Sequence, residues 1–307
     1  MRKATPPVQV PDDLAKNLLR FFDPAWLRDL PELTARQCEL WGLRTTGPAM
    51  HGVASLVLPV RTFEGMRAVL KMQPVDEETE GEPTALRIWA GRGSVHLLAH
   101  DPGSGAMLLE ALDPTRDLSE VAMEEALTVV GSLLGRLSAH PAPSGMRALG
   151  PITLDLVARA RELGPRLRSS SDRDRLADLA ARARPLTGGP GDRLLHWDLH
   201  FENVLAPRVD ADREPWLAID PKPLAGDPGF DLLPCLHNRW REAVATGDAR
   251  RATRWRLDLL TEVAGLDRER ARAWTLVRVL QECVWHVQDG ATALPTTHVT
   301  IAEALGA

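Results

Sequence analysis

The chain has 307 residues, of which 44% are apolar and 26% are charged. These proportions are typical of a folded, water-soluble protein and exclude a disordered or fibrous chain, and the length predicts about two domains, or one domain built as two lobes. The formal charge of −5 at pH 7 argues against a nucleic-acid-binding protein, because contacts to phosphates need a basic face. A cationic small molecule suits this charge better as a partner.

The three cysteines, Cys38, Cys235 and Cys283, lie far apart and form no C-x-x-C pair. The sequence therefore suggests neither a disulfide framework nor a thiolate zinc site, and a reducing compartment is the default. Residues 1–11 are polar and unlike a signal peptide, and no window reaches the roughly 18 apolar residues of a membrane span. We expect a cytoplasmic protein that does not bind membranes, and we expect it to be a monomer.

In chain order, the sequence first predicts two helices, over residues 12–22 and 24–41, and then a strand-rich region. A helix is predicted over residues 76–90, because an acidic stretch, which stabilises the first turn of a helix, precedes Leu86 and Trp89. The strands are short apolar runs between turns that contain Gly or Pro, and the first three form a meander. They are predicted at residues 43–46, 54–61, 66–72, 95–99 and 105–112.

The apolar spacing becomes helical in the second part of the chain. A helix is predicted over residues 121–139, whose apolar residues recur with the 3.6-residue period of a buried helix. Amphipathic helices are predicted over residues 154–167 and 172–184, a small island of strands lies between residues 194 and 220, and the remainder is helical, beginning with residues 232–244.

The turn signal Asp113-Pro114 lies where strands are expected to give way to helices. It predicts an N-terminal lobe of residues 1–112 and a C-terminal lobe of residues 113–307. The predicted fold class is α+β, with an antiparallel sheet and one internal helix in the first lobe and a larger, mainly helical second lobe.

The densest group of reactive side chains lies at residues 196–203, HWDLHFEN, between apolar strand-like pairs. The spacing of Asp198 and Asn203 suits phosphoryl transfer, in which a carboxylate orients and deprotonates a hydroxyl while an amide oxygen binds Mg²⁺. Asp220 follows the next apolar strand and would be a second oxygen ligand of that ion. In this interpretation His196 is structural and holds the loop.

A metal-dependent hydrolase or oxygenase is the alternative for the same segment. Side chains two residues apart share one face of a strand, so His196, Asp198 and His200 would form a two-His, one-carboxylate metal site. This alternative explains His200 better, but it leaves Asn203, Asp220 and the strand-rich first lobe without roles.

The first lobe contains a candidate phosphate-binding lysine. Among the four lysines, Lys71 is the one on a predicted strand with apolar neighbours, where the lysine of a kinase contacts phosphates and pairs with a helix glutamate. Glu82 is the favoured partner and Glu78 the next, because the carboxylate should point inward about one turn before the apolar residues of the helix.

Two backbone segments complete the predicted nucleotide site. Residues 47–55, which end in Ser55, lie between the first two strands, where a phosphate-covering loop is expected. Their position supports this role, and their composition alone does not. The backbone at Glu110 and Leu112 runs into the lobe boundary and is predicted to pair with an adenine edge.

Asp231 belongs to the sequence GDPGFDL at residues 226–232. Capping and turn formation are ordinary roles for aspartates in such a turn and helix start, and we expect Asp231 to support the catalytic loop. An acidic, Trp-lined cleft would suit a guanidinium-bearing substrate. The candidate substrate residues are His200, Glu202, Asp227, Glu282 and Trp285.

Three motifs together resemble the aminoglycoside phosphotransferases: HWDLHFENVL at residues 196–205, AIDPKPL at 218–224 and GDPGFDL at 226–232. Within that family the chain is similar to the streptomycin 6-phosphotransferases and related hydroxyurea kinases. The resemblance covers nearly the whole chain, although residues 47–55 lack the glycine pattern of protein kinases, as is usual in this family.

The resemblance implies a protein-kinase-like fold, ATP and Mg²⁺ as cofactors, and transfer of the γ-phosphoryl group to a streptidine hydroxyl of streptomycin, the 6-hydroxyl, with antibiotic resistance as the result. It implies that Asp198 is the catalytic base, that Asn203 and Asp220 bind the metal, and that Lys71 binds phosphates. It also makes the first lobe the nucleotide-binding lobe and places the catalytic loop and substrate cleft in the second. A kinase for hydroxyurea, a choline-like alcohol or another amino sugar is the alternative.

Overall fold

The computed structural model describes residues 9–307. They form two compact units: the described residues up to Asp113 together with Pro207–Pro215, and Pro114–Ala206 together with Trp216–Ala307. None of the helices in residues 9–307 combines the length and apolar character that crossing a membrane requires.

The first unit has helices α1 (Asp12–Phe21), α2 (Pro24–Leu40) and α3 (Glu82–Trp89). The Asp23 side chain caps α2 by accepting from the Ala25 N–H at 2.8 Å. The strands of this unit are β1 (Arg44–Thr45), β2 (Met50–His51), β3 (Leu56–Arg61), β4 (Arg67–Met72), β5 (Leu97–Asp101) and β6 (Ala106–Glu110).

These strands form an antiparallel sheet in the order β1-β3-β4-β6-β5, and β2 pairs with β3. Side chains alternate between the two faces. Leu58 on β3 and Leu70 on β4 are paired neighbours in the core that Leu14 of α1 and Leu30 of α2 also enter. Lys71, next to Leu70, therefore points to the opposite face of the sheet.

Helix α3 begins six residues later than predicted, at Glu82. The acidic stretch before it forms turns: the Asp76 carboxylate accepts from the N–H groups of Glu78 and Thr79, each at 2.9 Å. Asp favours such local side-chain turns as readily as a helix start, so the acidic pattern was assigned to the wrong structure.

The strand-to-helix change does not occur at Asp113-Pro114 as predicted. Residues Leu112–Asp117 form a further strand, β7, at the edge of a small sheet with β9 (Val204–Pro207) and β10 (Leu217–Ala218), in the order β10-β9-β7. Proline lacks an N–H donor but is tolerated in an edge strand, and Pro114 therefore does not end β7.

The second unit is mainly helical, and its two-stranded sheet pairs β8 (Arg193–Leu195) with β11 (Leu224–Gly226). Its longest helix, α10, packs against α5, α6 and the turn Pro228–Asp231, while α4 packs against α9. The helices are α4 (Met123–Leu137), α5 (Leu149–Leu163), α6 (Ser170–Ala183), α7 (Leu233–His237), α8 (Trp240–Ala245), α9 (Ala249–Ala264), α10 (Arg268–Gln288) and α11 (Thr296–Ala304).

Two helix predictions for this unit were wrong in their bounds. Helix α5 starts at Leu149 rather than at 154, because Pro151 lies in its first turn, where a missing N–H leaves no intrahelical bond unmade. The helix predicted over 232–244 is broken in two at Arg239, whose φ is 53°. The buried Arg256 guanidinium donates to the carbonyls of Asn238 and Arg239 at this break. The α+β class is confirmed.

Candidate active site

Lys71 of β4 and Glu82 of α3 form a buried ion pair in the first unit. The Lys71 Nζ donates to both Glu82 oxygens, at 2.8 and 2.7 Å, and their side chains are only 5% and 1% exposed. Gln73 Nε2 also donates to Glu82, at 2.7 Å. Glu82 is the first residue of its helix, where the helix dipole stabilises a carboxylate. Glu78, the second candidate, lies in the turn before the helix.

The loop at residues 47–55 is built as a short hairpin, in which Met50 of β2 pairs with Val57 of β3. The Gly52 N–H donates to the Ser55 carbonyl at 2.9 Å, and Ser55 is buried.

Glu110 ends β6, and its carboxylate accepts from the N–H of His96 at 2.7 Å and from Arg213 at 2.9 Å. The Glu110 N–H itself donates to the His96 carbonyl at 3.0 Å. This N–H is therefore not the donor for an adenine. The Glu110 carbonyl and the backbone of Leu112, where β7 begins, remain the predicted contacts to the adenine edge.

The catalytic loop of the second unit is anchored by Asp231. One oxygen of this buried carboxylate accepts from the His196 N–H and the other from the Trp197 N–H, each at 2.9 Å. Burial raises the pKa of Asp231 to about 7, although the two N–H groups act in the opposite direction. Trp197 has a φ of 65°, a left-handed conformation that a non-glycine residue keeps only where its surroundings impose it. Asp231 supplies that constraint.

His196 holds the loop to the strand that follows. Its Nε2 lies 3.0 Å from the Ile219 carbonyl and must donate, since a carbonyl oxygen only accepts. Burial lowers the pKa of His196 to about 4, so the ring is neutral at pH 7.

Asp198 faces the ammonium of Lys222. The Lys222 Nζ lies 2.7 Å from Asp198 Oδ2 and 3.6 Å from Asp220 Oδ2, and His200 Nε2 lies 4.0 Å from Asp198 Oδ1. Burial raises the pKa of Asp198, but the charge and hydrogen bond of the Lys222 ammonium, together with the neighbouring His200, outweigh burial and hold that pKa below its usual value. Asp198 is therefore ionised at neutral pH, as a base must be.

Asn203 and Asp220 are brought together by β9 and β10. The Ile219 N–H donates to the Asn203 carbonyl at 2.9 Å, which places Asp220 one residue from that contact, and Asn203 Nδ2 donates to the Asp198 carbonyl at 2.9 Å. The Asn203 amide oxygen and the Asp220 carboxylate are hard oxygen donors of the kind that Mg²⁺ prefers, with phosphates and water completing its shell. These donors fit the ion.

The alternative metal site at His196, Asp198 and His200 is not formed. The left-handed Trp197 breaks the strand alternation that it requires, and the His196 ring is directed to the Ile219 carbonyl. In residues 9–307, no three His, Cys, Asp or Glu side chains are grouped to hold a metal ion.

The candidate substrate residues differ in their surroundings. Trp285 lies 6.3 Å from Trp197, between ring centroids. Burial raises the pKa of Glu282, although the charge of Arg278 acts in the opposite direction. Glu202 is exposed, 3.6 Å from His200 Nδ1. Asp227, by contrast, caps its own turn by accepting from the Gly229 N–H and is paired with Arg270, so both of its oxygens are engaged by the fold.

Sequence reasoning assigned no role to Lys222 or Arg278. The Arg278 guanidinium lies 5.0 Å from the centroid of the Trp197 ring and 5.6 Å from that of Trp285, and its Nη2 lies 3.4 Å from Glu282. Lys222 was detectable as one of only four lysines, two residues after Asp220. Arg278 carried no such signal in an arginine-rich chain.

Comparisons with known proteins agree with this geometry. A family model described as aminoglycoside/hydroxyurea antibiotic resistance kinase matches residues 40–290. The chain is 50% identical to a hydroxyurea phosphotransferase of Kitasatospora aureofaciens, over 99% of this chain and 88% of that protein. It is 49% identical to a streptomycin 6-kinase of Streptomyces griseus, over 97% of each.

Among solved structures, an amicoumacin kinase, hAmiN, in complex with AMP-PNP, Ca²⁺ and Ami, is similar to this chain with a TM-score of 0.58, 13% sequence identity and 94% coverage of each chain. At this identity the likeness concerns the fold alone. It confirms the prediction of a two-lobe, protein-kinase-like α+β fold.

Proposed function

We propose that this chain, which belongs to the aminoglycoside/hydroxyurea antibiotic resistance kinase family, transfers the γ-phosphoryl group of ATP to the streptidine 6-hydroxyl of streptomycin and so confers resistance. The observation that carries the choice of substrate is the 49% identity to a streptomycin 6-kinase, which spans 97% of that protein, against 88% of the hydroxyurea phosphotransferase. We expect the protein to act in the cytoplasm, as a monomer.

Asp198 is the proposed catalytic base. It orients the acceptor hydroxyl and takes its proton as the oxygen attacks the γ-phosphorus in line. Lys222 keeps this carboxylate ionised, and the Asp231 anchor holds the backbone just before it. A positioned general base contributes about 10² to 10⁴ in rate.

Each unit has its own proposed nucleotide contacts, Lys71 and the loop that ends at Ser55 in the first and Asn203 and Asp220 in the second. Lys71, held by Glu82, binds ATP phosphates, the loop that ends at Ser55 covers them, and Asn203 and Asp220 bind Mg²⁺. Mg²⁺ held by these two residues would supply positive charge next to the phosphates during transfer.

The substrate side is acidic and aromatic, which suits the guanidinium groups of streptomycin. Glu282 provides a carboxylate and Trp285 an aromatic face for a cation. A substrate guanidinium would take the place that the Arg278 guanidinium holds in this structure, 3.4 Å from Glu282 and 5.6 Å from the Trp285 ring centroid. Glu282→Gln tests this role and should raise the KM for streptomycin.

Hydroxyurea is the second candidate substrate, because the chain is 50% identical to a hydroxyurea phosphotransferase over 99% of its length. Its acceptor is a hydroxyl on nitrogen, so the same base and phosphate contacts would serve. It carries no guanidinium, and Glu282→Gln should leave its phosphorylation unchanged.

The test is ADP release by the purified protein with Mg²⁺ and ATP, alone and with streptomycin, hydroxyurea or choline. We expect streptomycin-dependent ADP release and a gain of one phosphoryl group in the mass of streptomycin, with the position read by NMR. Asp198→Asn should lower this signal by about 10² to 10⁴, whereas Asp192→Asn, at an exposed carboxylate, should leave it unchanged. Turnover with hydroxyurea or choline and none with streptomycin would refute the proposed substrate.

A further inference from the structure

Lys222 reaches the centre of the proposed machinery from outside the catalytic loop. Its Nζ lies 2.7 Å from Asp198 Oδ2 and 3.6 Å from Asp220 Oδ2. The left-handed Asp220, with a φ of 56°, turns the chain back, and the Lys222 N–H donates to the His196 carbonyl at 3.0 Å. Both the backbone and the side chain of Lys222 are thus tied to the segment that carries the base.

This ion pair is poorly placed to stabilise the fold. The side chains of Lys222 and Asp198 are each 29% exposed, and that of Asp220 is 34% exposed. Water still reaches this pair and screens it in part, so it contributes less to folding than its short distance suggests. The charge of Lys222 is better placed to act on the atoms next to Asp198.

The two Asp198 oxygens have different surroundings. Oδ2 accepts from Lys222, whereas Oδ1 lies 4.0 Å from His200 Nε2, beyond hydrogen-bond distance. The acceptor hydroxyl would therefore approach Oδ1. Its oxygen would then contact the same carboxylate to which the Lys222 ammonium donates.

We propose, on the basis of the function proposed above, that Lys222 is a catalytic residue. During the reaction its ammonium group moves from Asp198 to the phosphoryl group that is being transferred. The acceptor O–H bond breaks and its proton moves to Asp198 Oδ1, the acceptor oxygen bonds to the γ-phosphorus, and the bond from that phosphorus to the bridging oxygen breaks to release ADP. As Asp198 becomes neutral, its attraction for the ammonium weakens, and Lys222 stabilises the negative phosphoryl oxygens.

The test compares Lys222→Met and Lys222→Arg with Lys16→Met, which removes an exposed lysine. The measurements are the kcat for streptomycin phosphorylation and the Kd of AMP-PNP in the presence of Mg²⁺. Removing one group that stabilises developing charge typically lowers kcat by about 10² to 10³. We expect this loss in Lys222→Met, a Kd changed by less than about threefold, partial recovery of kcat in Lys222→Arg, and no change in Lys16→Met.

A kcat for Lys222→Met within about threefold of the parent would overturn the role of Lys222. A loss of kcat matched by an equal loss of AMP-PNP affinity would also overturn it, because a structural role would produce both losses. If Lys222→Met does not fold, Lys222→Ala with added ethylammonium replaces it, and failure of the amine to restore activity would count against the proposal. If the parent protein does not phosphorylate streptomycin, the proposed function fails separately, and the same variants are compared on the acceptor that it does phosphorylate.

Discussion

Glu82→Ala tests the buried ion pair of the first unit. In the parent protein the Lys71 ammonium lies 2.7 and 2.8 Å from the two Glu82 oxygens. The substitution removes this carboxylate from a site where the Lys71 and Glu82 side chains are only 5% and 1% exposed. Removing one partner of a buried ion pair lowers the free energy of unfolding by about 3–5 kcal/mol. Gln73 also loses the carboxylate to which it donates, so we expect a value in the upper part of this range.

Urea denaturation followed by circular dichroism measures this change. The matched control is Asp13→Ala, which removes the carboxylate of the Lys16–Asp13 pair at 2.9 Å, where the side chains are 74% and 75% exposed; no shift of the midpoint is expected, because water screens this pair. The double variant Lys71→Met/Glu82→Leu should recover most of the lost stability and should not bind ATP. A Glu82→Ala loss below about 1 kcal/mol, the range of an exposed pair, would refute the reasoning.

Three further predictions concern the second unit. Asp198→Asn should lower kcat by about 10² to 10⁴ and keep the Kd of AMP-PNP; near-parental turnover would remove Asp198 as the base. Burial raises the folded-state pKa of Asp231 to about 7 from an ordinary value of 3.8, so its contribution to stability is complete below about pH 4 and is lost as the pH rises through 7. Urea midpoints measured from pH 4 to 8 should show this decline, and Asp231→Asn should lack it; equal slopes would contradict the assignment. Gly229→Ala would place a Cβ 2.5 Å from the Ala271 Cα and should lower the free energy of unfolding by about 1–3 kcal/mol, whereas Gly188→Ala, with open space around it, should not.

The family and the kinase-like fold could be predicted because their signals are local in the sequence. The spacing of Asp198 and Asn203 is contained within one loop, and the strand around Lys71 shows its apolar character within six residues. A period of two or of 3.6 residues reports which face is buried without knowledge of what covers it. The sheet-rich first part and the helical second part followed from these periods.

Element bounds failed where one residue type serves two local structures. The acidic run before Glu82 predicts a helix start and equally a turn, and in the structure Asp76 forms the turn. The turn signal at Pro114 predicts the end of the strands, but an edge strand tolerates a proline. Whether the strand continues past Pro114 is decided by the pairing of β7 with its neighbour, and this pairing is a property of the folded chain.

The sequence by itself determined the family, the fold class and the loop that carries the proposed chemistry. Only the tertiary structure decided which groups surround Asp198. Lys222 lies 24 residues from Asp198 and Asp231 lies 35 residues from His196, and contacts at such separations depend on how β8 to β11 pair and on the left-handed turns at Trp197 and Asp220. Charge and burial around a carboxylate arise from these packed neighbours, so neither the low pKa of Asp198 nor the high pKa of Asp231 is written in any local motif.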